Sequence, residues 1–302
     1  EESNYINHKL SKNAITVLKN KNNLIPLLDL DSLNIAYVSL GNDSGTVFYN
    51  RLNSYMPVER YSYNNHTDSL LNKLNSYDIV VLGLHYANNN FWERHVVSHQ
   101  DSIFVSELCD KNKTIVNIFG HPKLLNSLPV DAADGIILSY QNSSYFQDLT
   151  AQLNFGSIGA SGRLSVATNQ FPVSSGLDIF APRKFEFVMP LDVGMNLDSL
   201  NKIDSIVQLA IQDQVMPGCQ IVVARHGKIF YSKSFGFHTY DSIESVQDFH
   251  LYDIASITKI AATAPILMNL VDKRLIKLKK KLKSYDFFTS NSDKKNIKII
   301  DL

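Results

Sequence analysis

The stretch Tyr77-Asp-Ile-Val-Val-Leu-Gly-Leu84 decides the fold class. Its Ile, Val and Leu residues are adjacent rather than alternating, so the strand it predicts is apolar on both faces. Such a strand is buried only when helices cover the sheet on both sides. Three more runs share this character. Ile35-Ala-Tyr-Val-Ser-Leu40 lies upstream; Thr114-Ile-Val-Asn-Ile-Phe119 and Gly135-Ile-Ile-Leu-Ser-Tyr140 lie downstream. Residues 68–76, 98–109 and 144–154 carry helical patterns and supply the crossovers. The alternation predicts an α/β layered sandwich with a mostly parallel sheet. At the start of the chain, Leu10, Ala14, Val17 and Leu18 form one apolar stripe, which predicts a helix running out near residues 20–23.

Beyond the last of these runs, Gly156-Ser-Ile-Gly-Ala-Ser-Gly162 is glycine-rich. It follows a helical pattern and precedes a β-like run at 163–167. A dinucleotide fingerprint needs strand, glycines and helix in that order, so the segment reads as a structural turn. Residues 169–190 hold Pro172, Pro182, Pro190 and a Ser-Ser-Gly triplet, and read as a linker or strap. A second domain begins near Asp192. Residues 197–212 form an amphipathic helix, with Leu200, Ile203, Ile206, Val207, Ala210 and Ile211 on one face. Cys219-Gln-Ile-Val-Val-Ala-Arg225 and residues 228–235 read as two strands joined by a tight His226-Gly227 turn. An apolar helix over 261–270 follows, with Pro265 predicting a kink inside it.

Composition narrows the function classes. The 302 residues carry 29 Lys and Arg against 29 Asp and Glu, a formal net charge of zero. That excludes a strongly basic nucleic-acid binder as the whole answer. No apolar run approaches the roughly 18 residues of a membrane-spanning helix. Cys109 and Cys219 are far apart and read as isolated thiols, and the nine histidines show no metal-type pairing, so no metal or cofactor is expected. The chain starts at Glu1 without a leader and stops at Leu302 in what reads as an ordered segment, so truncation at both ends is expected. The run Lys277-Leu-Lys-Lys-Lys-Leu-Lys283 reads as a solvated loop or helix end, with a weak attraction to anionic surfaces as the alternative. His85 and His121 follow strand ends, where α/β sheets bind ligands, although a packed histidine is the commoner outcome there.

Ser256 and Lys259 carry the chemistry. Three residues apart on one helix face, the amine can reach the hydroxyl. A first-turn serine also feels the positive end of the helix dipole, and a desolvated lysine becomes a base. Alone, the tetrapeptide more often marks a capping serine beside a snorkelling lysine. The strand hairpin before it and the small-residue helix after it favour the nucleophile.

Three segments, Pro217-Gly-Cys-Gln-Ile-Val-Val-Ala-Arg-His-Gly-Lys-Ile229, Phe235-Gly-Phe-His-Thr-Tyr240 and Leu251-Tyr-Asp-Ile-Ala-Ser-Ile-Thr-Lys259, together resemble the serine β-lactamase and penicillin-binding-protein-like family, in particular its class C esterase group. The resemblance covers residues from about 195 to 302. It implies Ser256 as nucleophile, Lys259 as its general base, and the Ser256 amide as half of an oxyanion hole. The family's second element, Tyr-x-Asn or Ser-x-Asn, and its third, Lys-Thr-Gly or His-x-Gly, do not occur after Ser256; Ser290-Asn-Ser292 does not match, and Tyr63-Asn-Asn65 lies in the other domain.

At the other end, Ser11-Lys-Asn-Ala-Ile-Thr-Val-Leu-Lys-Asn20 with Asn23-Leu-Ile-Pro-Leu27, and Phe155-Gly-Ser-Ile-Gly-Ala-Ser-Gly-Arg-Leu-Ser-Val166, resemble the first and last motifs of the C-terminal domain of glycoside hydrolase family 3, with Ser165 in place of the usual proline. This resemblance implies a six-stranded α/β sandwich and a packing role for the glycine turn. It implies a nucleophilic Asp in a (β/α)8 barrel upstream of this chain, and Glu93 or Glu107 as the positions to weigh for an acid/base, both reading more readily as surface residues. The nearest relatives in kind resemble β-N-acetylhexosaminidases fused to a β-lactamase-like domain, whose acid/base His lies on the barrel.

The expectation is therefore a glycosidase sandwich with linker over 1–185, then the N-terminal portion of an α+β β-lactamase-like domain over 186–302. Its expected substrates are N-acetylglucosamine-type glycosides, or acyl esters and amides, in the periplasm or at the cell surface. A non-catalytic carbohydrate-pocket or scaffold module and a stand-alone serine esterase are the alternatives.

Overall fold

The computed structural model of the chain describes residues 2–63, 67–86, 97–181, 184–285 and 293–301. It forms two compact units, Glu1–Phe249 and His250–Leu302.

The first unit is built on a six-stranded sheet. In chain order its elements are α1 (Glu2–Ala14), β1 (Thr16–Asn20), β2 (Ile35–Gly41), α2 (Thr46–Asn53), β3 (Glu59–Ser62), α3 (Thr67–Leu74), β4 (Ile79–His85), α4 (His99–Lys111), β5 (Thr114–Phe119), β6 (Gly135–Leu138) and α5 (Ser144–Asn154). The spatial order is β1-β6-β5-β4-β2-β3. All neighbouring pairs are parallel except β1 with β6. The four doubly apolar runs are thus four adjacent parallel strands. Alternate side chains feed two cores. Ala36, Val38, Val80, Leu82 and Val116 pack with Leu71, Phe104 and Leu108 of α3 and α4. Ile35, Tyr37, Val81, Ile115 and Ile137 pack on the opposite face with Phe48, Leu52 and Leu149 of α2 and α5. This is the α/β/α sandwich expected from the sequence.

Two boundaries differ from the sequence reading. The first helix stops at Ala14; Val17 and Leu18 belong to β1 instead. The segment is buried against β6, where a strand satisfies backbone groups that a longer helix would leave beside the sheet edge. Residues 163–167 form no strand, although Leu164 exchanges backbone bonds with Ser174 and Ser175 (2.8 Å each). The glycine turn does pack. A Cβ at Gly162 would lie 2.4 Å from the Ile15 carbonyl oxygen, and one at Gly159 2.4 Å from that of Ile179.

The same unit continues through β7 (Glu186–Phe187), α6 (Leu197–Gln212), β8 (Gly218–Arg225) and β9 (Lys228–Gly236). β8 and β9 form the expected hairpin, with positive φ at His226 (54°) and Gly227 (72°) as a tight two-residue turn requires. α6 spans the predicted residues but buries only Leu200 and Val207; Ile206 is exposed. β7 ties this hairpin to the sandwich. It pairs with β9, and the Gln152 side chain both donates to the Phe187 carbonyl and accepts from its N–H, at 2.9 Å each. The Arg51 guanidinium stacks 3.6 Å from the Phe187 ring centroid, and Glu186 pairs with Lys12 and Lys228.

The second unit holds a π-helical turn (Lys259–Thr263), α7 (Ala264–Asp272) and short 3-10 turns. The expected kink at Pro265 takes the form of this π turn, which directly precedes α7 within one continuous helical run from Ile257 to Asp272. A buried central helix is not observed: none of the residues of the π turn or α7 is buried. Among the described residues of this unit only Leu282 and Ile299 are buried, too few to cover an apolar helix.

Candidate active site

Ser256 lies in a tight turn. The N–H groups of Ile257, Thr258 and Lys259 bond to the carbonyls of Ile254, Ala255 and Ser256 at 2.9, 3.1 and 3.0 Å, a 3-10 pattern. Ala255, just before the serine, has a φ of 41°. A left-handed alanine costs on the order of 1 kcal/mol and is held only by its surroundings. Here the Asp253 carboxylate accepts the Ala255 N–H at 2.7 Å and fixes the turn. That role was missed in the sequence, although an aspartate two residues before a turn position is an Asx-turn signal.

The turn brings Lys259 Nζ to 3.0 Å from Ser256 Oγ. The i, i+3 geometry expected from the spacing is therefore present. The Ser256 N–H has no acceptor among the described residues, leaving it free to donate. Both side chains are exposed, so residues 250–302 do not themselves desolvate the amine. Ile257 and Thr258 are α-helical and run directly into the π turn, so Ser256 stands just before the first helical residue, as the sequence predicts.

The sandwich offers a second location to examine. Strand order reverses between β2 and β4, and the carboxyl ends of strands at such a reversal are where open α/β sheets bind ligands. Here the protein fills the crevice itself. His85 is fully buried. Its Nδ1 lies 2.9 Å from Asn142 Oδ1 and its Nε2 2.7 Å from the Tyr37 hydroxyl. A carbonyl oxygen can only accept, so Nδ1 carries the proton and Tyr37 donates to Nε2. The ring stacks on Phe119, with centroids 4.6 Å apart and planes 7° apart. Burial pushes the His85 pKa below its ordinary value, against the opposing pull of Asn142 and Asp43. Burial raises the pKa of Asp43, but hydrogen bonds from Gly45 N–H, Asn142 and Gln147 outweigh it and hold the carboxyl below its usual range. Gly45 and Gly83 leave room for this cluster: a Cβ at either would meet His85 Nε2, at 2.2 and 2.6 Å.

The remaining positions have plain roles. His121 caps a 3-10 turn by accepting the Lys123 N–H at 3.1 Å. Glu107 is a surface residue paired with Lys111 at 3.0 Å. Glu93, the Asn residues after Tyr63, and Ser290-Asn-Ser292 lie outside the described residues. Cys109 is buried and Cys219 half-buried, and both are free thiols; burial pushes the Cys109 thiol up to about 12.

Residues 203–302 match the family described as Beta-lactamase. Among curated proteins, the chain is similar to Protein flp of Staphylococcus aureus strains NCTC 8325 / PS 47 and N315. Each is 32% identical over 78 residues, covering 26% of this chain and 16% of the relative. The chain thus spans about a sixth of the length of these relatives. Solved structures with some likeness include a glycoside hydrolase family 3 β-N-acetylglucosaminidase from Paenibacillus sp. str. FPU-7, at a TM-score of 0.43 and 15% identity, covering 59% of this chain and 34% of that one. Another is a β-glucosidase from Listeria innocua in complex with isofagomine, with a TM-score of 0.43, 18% identity, and 52% and 26% coverage.

Proposed function

We propose that the chain is part of a hydrolase joining a glycoside hydrolase family 3-type sandwich, residues 1–185, to a β-lactamase-like serine acyl-transfer segment, residues 186–302. The observation that carries this reading is the 3.0 Å bond between Lys259 Nζ and Ser256 Oγ. In the proposed reaction a neutral Lys259 amine accepts the Ser256 hydroxyl proton while Oγ bonds to the acyl carbon of an ester or amide. The oxyanion forms against the Ser256 N–H. Lys259 then returns the proton to the departing alcohol or amine, and water hydrolyses the acyl-serine to free serine and acid. The family match over residues 203–302 supports this assignment.

The glycosidic half rests on the two motifs that bracket the sandwich. We assign it N-acetylglucosamine-type glycosides, cleaved by a barrel that residues 1–302 do not contain, with the sandwich completing the sugar pocket. The compartment we assign is the periplasm or cell surface. A second reading, in which the chain is a binding or scaffold module, is favoured by one observation: the Ser256–Lys259 pair is exposed, and a lysine base depends on desolvation.

A fluorophosphonate probe separates the two. The proposal expects slow covalent labelling of the chain, lost in Ser256→Ala and reduced at least about tenfold in Lys259→Ala. Absence of labelling, or equal labelling of Ser256→Ala, gives the binding module instead. A chromogenic hexosaminide is expected to be turned over negligibly by this chain.

A further inference from the structure

Charge is distributed unevenly along this neutral chain. Residues 250–302 carry eleven Lys and Arg against five Asp, so the rest of the chain carries the compensating negative charge. Within that unit the cations are concentrated by the fold. Residues 278–282 and 297–300 run antiparallel. Leu282 N–H bonds to the Ile297 carbonyl at 2.9 Å, Ile299 N–H to that of Lys280 at 3.1 Å, and Ile300 N–H to that of Leu278 at 2.9 Å; Lys281 bridges Lys298. This pairing joins the basic run of 277–283 to a second basic segment 12 or more positions later in the chain. Lys279, Lys280, Lys281, Lys283, Lys295 and Lys298 make no ion pair among the described residues.

The same pairing sorts the apolar side chains. Leu282 and Ile299 are buried beneath it, at 6% and 8% exposure, whereas the hydrogen-bonded neighbours Leu278 and Ile300 are 39% and 58% exposed. Exposed aliphatic groups set among lysines that have no acidic partner among the described residues match an interface that is anionic outside and apolar just beneath. The residue types argue against nucleic acid. The unit has one arginine, Arg274, and the Tyr285 ring is engaged by Lys280, whose Nζ lies 5.9 Å from its centroid. Nucleic-acid sites favour arginine forks and free aromatic faces.

We propose that the paired segments 277–283 and 293–301 form a docking surface for a lipid bilayer carrying anionic headgroups. The lysines supply long-range attraction, and Leu278 and Ile300 enter the headgroup boundary. The attraction is additive over several lysines and screened by salt.

The test is co-sedimentation of the full chain with vesicles of phosphatidylcholine alone, and of phosphatidylcholine mixed with phosphatidylserine. Binding is expected only to the anionic vesicles and is expected to fall as salt is raised. It should weaken at least about tenfold in the triple variant Lys279→Gln, Lys280→Gln, Lys281→Gln, and measurably in Leu278→Ser with Ile300→Ser. Far-UV circular dichroism shows whether each variant keeps the fold; because all five positions lie outside the buried core, unchanged spectra are expected. Equal binding to both vesicle types, or wild-type binding by the triple variant, overturns the proposal. So does binding to a double-stranded oligonucleotide as tight as to the anionic vesicles, which assigns the lysines to a polyanion without an apolar phase.

Discussion

Single residues set the character of both centres. At the sandwich crevice a histidine is held neutral in the folded state, because burial lowers its pKa below the ordinary value. The unfolded chain takes up a proton near pH 6.5 that the folded chain refuses, so the stability His85 contributes is complete above that pH and declines below it. His8, also buried with its pKa lowered by burial, acts in the same direction. Urea unfolding followed from about pH 7 to about pH 5 should therefore show a loss on the order of 1 kcal/mol. His85→Asn should begin less stable and show a shallower decline; an identical slope in the variant would remove His85 as the cause. Gly162 makes a different prediction. Its Cβ would meet two backbone oxygens, of Ile15 at 2.4 Å and Ala14 at 2.5 Å, and backbone cannot yield as a side-chain tip can. Gly162→Ala should cost about 2 kcal/mol or more, read as a lowered thermal midpoint; an unchanged midpoint would show that the turn relaxes freely. At the serine, spacing alone placed Lys259 near Ser256, but not Asp253 or the strained Ala255, because no periodicity marks a turn held by one side chain.

Among elements, the ones legible in the sequence are those whose pattern has a single physical solution. β2, β4, β5 and β6 read as strands because runs apolar on both faces fit a sheet buried on both sides. α3, α4 and α5 followed from their place between them. β1 was misread because Val17 and Leu18 also continue the stripe of Leu10 and Ala14; burial against β6, a contact some 120 residues distant, decides the matter. α2 is eight residues long and buries only Phe48 and Leu52, and β3 is a polar edge strand, Glu59-Arg-Tyr-Ser62, so neither gives a strong pattern. β7 is two residues long and is held by β9 and by the distant Gln152 side chain. Its importance can be measured. Phe187→Ala removes the ring that meets Arg51 and Tyr55, and should cost about 2 kcal/mol while accelerating amide exchange at Val188, which bonds to Ile229 at 2.8 Å. Exchange at Val188 unchanged from wild type would mean that the backbone bonds to Gln152 hold β7 without the ring.

For the whole molecule, resistance to opening is uneven. The sandwich has two large cores, the hairpin a small one around Leu200 and Phe230, and the described residues of 250–302 almost none. Buried apolar surface is the main source of that resistance. Trypsin, which cuts after Lys and Arg, should therefore cleave first within 250–302 and leave a fragment containing the sheet. A first cut within β2 to β6, identified by mass spectrometry, contradicts this ordering. The Beta-lactamase match of residues 203–302 was legible in short motifs, whereas the exposure of α7 was not, because an apolar helix in sequence implies a cover without stating where that cover comes from.

The pairing of β1 with β6 has a consequence for biosynthesis. Residues 16–20 are synthesised before every other strand of the sheet, but their sheet partner is 135–138, and Leu177 adds a further bridge to Val17. The apolar segment Thr16-Val-Leu must wait, unpaired, while more than a hundred later residues are made. The parallel strands β2 to β5 can begin to associate in that interval, and the first strand of the domain is then the last to be laid down, closing an edge that would otherwise be open to other chains.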